Sequence, residues 1–132
     1  MKKIVLAIAI TTLLVSGLGV ANAASPISSF GSSTYLNMVF AGWNISGASS
    51  VSLDVKCTGD SNLKYNRFSP ASGGIPCTGY KQNFVYSSGT GTGSVRFDFP
   101  TERTKDLTVE FTLWASLNGQ TYSATDTEVL EA

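Results

Sequence analysis

From Ser50 to Cys57 the chain alternates strictly. Val51, Leu53, Val55 and Cys57 fall on one side, and Ser50, Ser52, Asp54 and Lys56 on the other. A period of two marks an extended strand with one buried face. The pattern returns from Leu107 to Ser116, where Leu107, Val109, Phe111, Leu113 and Ala115 oppose Thr108, Glu110, Thr112, Trp114 and Ser116. Val95, Phe97 and Phe99 alternate with Arg96 and Asp98, and Pro100, which has no amide proton for a ladder, ends that strand. Further strands are predicted over Ile27–Phe30, Tyr35–Trp43, Leu63–Phe68 and Tyr80–Tyr86. Clusters of Gly, Ser, Asn and Pro predict turns or loops over Asn44–Ser49, Ser69–Thr78 and Ser87–Gly93. No amphipathic helical period appears after residue 23. The expected fold class is therefore all-β, an antiparallel sandwich of about seven strands.

The end of the chain also predicts a register. Asn118-Gly119 is a strong hairpin signal, because a type I′ turn needs positive φ at both central positions. A two-residue turn there pairs Ala115 with Tyr122 and Leu113 with Ala124, all on the apolar side. Counting on sets Asp126 opposite Phe111, an acid pointing inward. A bulge near Asp126 would release it to solvent and turn Thr127 and Val129 inward, so a bulge is expected.

The final hairpin, LTVEFTLWASLNGQTYSATDTEVLEA, resembles the last two strands of fibronectin type III and related immunoglobulin-like domains. The segment YLNMVFAGWNISGASSVSLDVKC is similar to their second and third strands. The resemblance covers most of the chain after residue 23, as a pattern of alternation and spacing, and it implies an immunoglobulin-like sandwich. Antibody-type domains join their two sheets by a disulfide across the core beside a Trp. Here Cys57 ends a strand and Cys77 falls in a predicted loop, so their bridge is expected to clamp the excursion over residues 58–76.

The first 23 residues read as an export signal: Lys2 and Lys3, then an apolar run from Ile4 to about Val15, then Ala21-Asn22-Ala23, a small-x-small cleavage site. The apolar run is shorter than the roughly 20 residues a spanning helix needs, so no membrane span is expected once it is removed. The expected domains are a signal peptide over 1–23 and a β-sandwich over 24–132, exported to the periplasm or beyond the cell, in a bacterial style. Loss of Lys2 and Lys3 leaves 7 basic against 9 acidic residues, a net charge of −2, with no electrostatic footprint for nucleic acid. In an exported chain, two cysteines are expected to form one disulfide, Cys57–Cys77.

Chemistry is the harder question. The chain has no His, the usual base of nucleophilic triads, and both cysteines are spoken for by the disulfide. SSGTGTG lacks the Lys and following helix of a phosphate loop. Asp98 with Glu102, or Asp126 with Glu128, offer carboxylate pairs of the glycosidase kind, but their alternation with polar neighbours predicts solvated surface charge. Asp54, Asp60, Asp126 and Glu128 are hard oxygen donors without calcium-site spacing. No enzyme, cofactor or metal site is expected. Asn44-Ile45-Ser46 matches a glycosylation sequon, a chance match behind a bacterial-style signal.

The aromatics carry more information. Trp114 falls on a Thr-rich side, opposite Ser123 and beside Thr112 and Thr125. There it offers a platform for a sugar or a protein partner, lies beneath a covering loop, or is swung into the core by a bulge. Tyr80, Phe84 and Tyr86 share a side with Gln82 and form a second candidate strip, while Trp43 reads as core. The candidate binding residues are thus Trp114, Thr112, Thr125, Tyr80 and Tyr86. The expected function is an exported, non-enzymatic binding or adhesion module for a protein or carbohydrate. Alternatives are a surface-fibre or coat subunit self-assembling by strand addition, and a hydrolase inhibitor presenting the 69–79 loop.

Overall fold

A computed structural model describes residues 13–15, 25–67, 72–86 and 89–132. Its strands are β1 (Leu13–Val15), β2 (Ile27–Tyr35), β3 (Met38–Ala48), β4 (Ser50–Arg67), β5 (Ser72–Tyr86), β6 (Gly89–Asp98), β7 (Leu107–Leu117) and β8 (Gln120–Leu130). All pairings are antiparallel. One layer runs β5-β4-β7-β8, with the short β1 on the far side of β8; the other runs β2-β3-β6. The end of β4 joins them, since Asn66 and Arg67 pair with Asp98 and Phe97 of β6. On the opposite side β2 lies against β8, linked through side chains rather than a ladder. The result is a nearly closed barrel of eight strands, where the pattern alone suggested about seven in a sandwich.

Alternation explains the core. Val51, Leu53, Val55 and Cys57 of β4 and Leu107, Val109, Phe111, Leu113 and Ala115 of β7 are all buried, as their period of two requires. They face Val39, Ala41, Trp43 and Ile45 of β3 and Val95 and Phe97 of β6. Phe97 is the hub, with ring centroids 5.7 Å from Phe84, 5.8 Å from Tyr65 and 5.9 Å from Phe111. Trp43 is core, its ring edge-on to Tyr86 at 5.2 Å. Its ladder partner is Gly93, where an added Cβ would collide with the indole nitrogen. The indole fits because that position has no side chain.

Tyr65 is fully buried and stacks on Phe99, yet its hydroxyl has no hydrogen-bond partner among the described residues. Burial pushes its pKa up from 10.0, because the phenolate would lose its water. Burial also raises Tyr86, while nearby Arg67 pulls it the other way; the Tyr86 hydroxyl makes no hydrogen bond of good geometry. A group raised on folding contributes stability below its unfolded pKa and loses it as pH climbs from there toward the folded value. Stability should therefore fall above about pH 10 by up to roughly 1.4 kcal/mol per pH unit for Tyr65. Tyr65→Phe should raise stability at pH 7 by about 1 kcal/mol and flatten that alkaline decline, read by urea denaturation across pH. An unchanged alkaline slope would show that Tyr65 is not its source.

Several sequence expectations are corrected. Tyr35 ends β2 rather than opening the next strand, and a two-residue turn at Leu36-Asn37 joins β2 to β3. Leu36 adopts φ 56° there, a conformation more common for Gly or Asn, so no turn signal marked it. Asn44–Ser49 is not a turn, because β3 continues to Ala48. The predicted 69–78 loop is strand from Ser72 onward, so Cys77 lies within β5. The predicted 87–93 turn is strand from Gly89 onward, and residues 87–88 fall outside the described residues. The Cys57–Cys77 bridge is present, with 20 residues of separation.

The bulge near Asp126 is absent. Asn118 and Gly119 take φ 53° and 77°, and the ladder runs unbroken from Leu117↔Gln120 to Leu107↔Leu130. Asp126 therefore opposes Phe111 and Glu128 opposes Val109, both inward. Glu128 is buried and Asp126 half-buried, so this pair is not solvated surface charge. Ser32 of β2 receives both carboxyls, which is why the strand tolerates them.

Candidate functional site

Pairing of β5-β4-β7-β8 places the outward side chains in three rows. Val85, Ser52, Trp114 and Ser123 form the first, and Asn83, Asp54, Thr112 and Thr125 the second. Lys81, Lys56, Glu110 and Thr127 form the third. Trp114 thus points out, opposite Ser123, with Thr112 and Thr125 paired beside it, where the sequence had placed them. No bulge swings it into the core, and it is 37% exposed.

The indole does not hang free. Its Nε1–H donates to Asp54 Oδ2 at 2.8 Å, so the side chain reaches diagonally from β7 to β4. The other oxygen of Asp54 accepts from Asn83 Nδ2 at 2.7 Å. Three strands therefore fix one aromatic ring in place. An immobilised ring gives up less rotamer entropy when a ligand lands on it. Beside it stands Val85, 78% exposed and in the same row. Thr112 and Thr125 border the ring with hydroxyls that can both donate and accept. Lys56 and Glu110 form an exposed ion pair at 3.4 Å that closes one end of the face and adds little stability.

Tyr80 and Tyr86 do not join this face. Tyr86 is half-buried against Trp43, Phe84 is core, and Tyr80 stands 57% exposed on its own. The strip imagined from their spacing is the inner side of β5. Asn83 and Val85, on its outer side, were missed; their signal was the same alternation counted from the other parity. Asp54 was noticed as a metal donor, but it serves as the bracket of the indole.

Other acids and clefts have different employments. Asp98 pairs with Arg96 at 3.0 Å, and Asp60 caps the backbone of Asn62. A groove of about 400 Å³ crosses the outer side of the second layer, floored by Gly31 and Gly42 and edged by Ser29, Asn44, Thr92 and Ser94. It carries no charged side chain and no exposed ring. No protein-family model, curated protein or solved structure matches the chain.

Proposed function

We propose that this chain is an exported, non-enzymatic binding module that takes a carbohydrate on the outer face of β4, β5, β7 and β8. The observation that carries the reading is the Trp114 indole, exposed on a flat sheet and held by Asp54, which Asn83 holds in turn. A pre-positioned ring with an apolar neighbour offers a stacking surface for the C–H side of a sugar ring. Thr112, Thr125, Ser123 and Asn83 offer the hydroxyl and amide groups that orient it. A non-enzymatic role is supported by the lack of His in the chain, the joining of both cysteines, and the burial of Glu128 beside Ser32.

Two further parts of the reading concern origin and address. We assign the fold to the immunoglobulin-like superfamily, on the support of strand neighbours β2-β3-β6 and β5-β4-β7-β8. These match an A-B-E layer against a C′-C-F-G layer. The disulfide fits an oxidising compartment, in keeping with export to the periplasm or beyond.

A glycan array probed with the natural protein and with Trp114→Ala tests the function. Binding to at least one glycan class should fall tenfold or more in Trp114→Ala, with its melting temperature within a few degrees of the parent. Asp54→Ala should weaken binding less, by freeing the ring rather than deleting it. Equal binding by parent and Trp114→Ala would remove the Trp114 face from the reading, and silence of both would remove carbohydrate as the ligand.

A further inference from the structure

The two edges of the barrel meet at a seam between β2 and β8, and among the described residues no backbone ladder crosses it. One buried serine fastens it. Ser32 turns its amide and its hydroxyl to Asp126 Oδ2, at 2.9 and 2.7 Å, and the same Oγ lies 2.7 Å from Glu128 Oε2. Oxygens that close need a proton between them. Oγ makes two such contacts and has a single proton of its own. With both carboxyls ionised, that one proton would have to serve both. Two like charges would also stand within two hydrogen bonds of each other beside the core. Glu128 makes further contacts, but the proton count at the Ser32 oxygen does not depend on them.

We propose that the closed seam holds one extra proton, carried on Glu128 Oε2 and donated to Ser32 Oγ, and that losing it at alkaline pH loosens β2 from β8. The Ser32 hydroxyl then donates onward to an ionised Asp126. Two features choose Glu128 as the acid. Asp126 Oδ2 already receives the Ser32 amide and hydroxyl, and its Oδ1 accepts from the Thr127 amide at 3.0 Å, all of which favour a negative charge. Glu128 is only 5% exposed where Asp126 is half-buried, and burial favours the neutral form.

Around the pair, β2 presents Phe30 and Thr34, β7 presents Val109 and Phe111, and β3 presents Val39 and Ala41 across the core. None of these titrates. Glu110 of β7 pairs with Lys56 on the outer side, and Tyr35 of β2 is exposed. Arg103 donates to Asn37, Pro100 and the Glu131 carbonyl, and the Tyr122 hydroxyl bonds Gln120. A carboxyl that keeps its proton on folding has a pKa raised above its unfolded value. Its contribution is complete below the unfolded value and is lost as pH climbs through the folded one. The Tyr65 effect begins only above about pH 10, so a transition complete by about pH 9 belongs to the seam. The cluster faces the interior and Trp114 the outside, so sugar binding plays no part in it.

The test is an NMR titration of the full-length chain labelled at its Glu carboxyl carbons. Of the four Glu, one should titrate above about pH 7, at least about two pH units from the rest, and its signal should be missing from Glu128→Gln. Exchange of the Ser32 amide, corrected for base catalysis, reads the latch, because that amide is held by Asp126 and by no ladder. Its protection should fall at least about tenfold between about pH 6 and pH 9 in the parent. In Glu128→Gln it should stay level, since the Gln amide donates to Ser32 Oγ at every pH. Leu113, laddered on both sides, should stay level in both chains. Four Glu carboxyls titrating together would overturn the proposal, and that result needs only the parent chain. A Ser32 protection that is flat in the parent, or falls equally in parent and variant, would overturn it as well.

Discussion

Replacing Cys57 and Cys77 together by alanine, or reducing the bridge, should lower the stability of the domain by about 3 kcal/mol. The bridge closes a loop of 20 residues, and the unfolded chain gains most from its release. It sits where other restraints are weakest. Beyond Lys56↔Lys81 the β4–β5 ladder shifts register four times, and one of its rungs is Pro76, which has no amide proton. Against a total of roughly 5–15 kcal/mol for an ordinary domain, this is a large share. Urea denaturation of the double variant and of the reduced parent should agree within about 1 kcal/mol, which separates the lost crosslink from any cavity left by the sulfurs. Amides from Thr58 to Cys77 should lose protection before those of β7 and β8. A loss under about 1 kcal/mol by both routes would mean that the excursion is held by Tyr65 and Ile75 packing and not by the bridge.

How much of this was legible in the sequence follows from how local each signal is. Alternation is local, so the burial of Val51, Leu53, Val55 and the five inward residues of β7 could be read directly. The first rungs of the β7–β8 register, Ala115↔Tyr122 and Leu113↔Ala124, were equally accessible, because Asn118-Gly119 names its own turn, whereas beyond them the expected bulge near Asp126 is absent. Other turns were silent. Leu36-Asn37 carries a hydrophobic residue at a positive φ, which no turn preference anticipates, so the β2–β3 hairpin was cut in the wrong place. Gly73, Gly74 and Pro76 read as loop, whereas they lie in the irregular, twisted end of a strand.

The site divides along the same line. Trp114, Thr112 and Thr125 come from one hairpin, so their neighbourhood was visible. Asp54 and Asn83 come from strands whose register against β7 is set at a distance. Their bonds to the indole and to each other span 60 and 29 residues of chain. No window of sequence contains that information. The physical lesson concerns the face rather than the residue: alternation says which side a side chain is on, and register says what stands next to it.

The seam offers the second large effect. Ser32→Ala should lower stability by about 2–3 kcal/mol, Asp126→Ala by a similar amount, and the double variant by clearly less than their sum. Asp126 Oδ2 accepts from the Ser32 amide at 2.9 Å and from its hydroxyl at 2.7 Å, and that same hydroxyl lies 2.7 Å from Glu128 Oε2. The hydroxyl has one proton, shared between two carboxyl oxygens each 2.7 Å away, and removing it takes that shared donor from both, one of them buried. Removing Asp126 leaves the Ser32 amide facing no acceptor. Both single variants lose the bond between the Ser32 hydroxyl and Asp126, and the double variant loses it once rather than twice. From the sequence, an inward Asp126 looked intolerable, because its partner lies 94 residues away. An unbroken ladder held the acid inward, and Ser32 answered it. A double-mutant cycle by urea denaturation should give a coupling of at least about 1 kcal/mol. Additivity within a few tenths would show instead that backbone packing, not this cluster, holds β2 against β8.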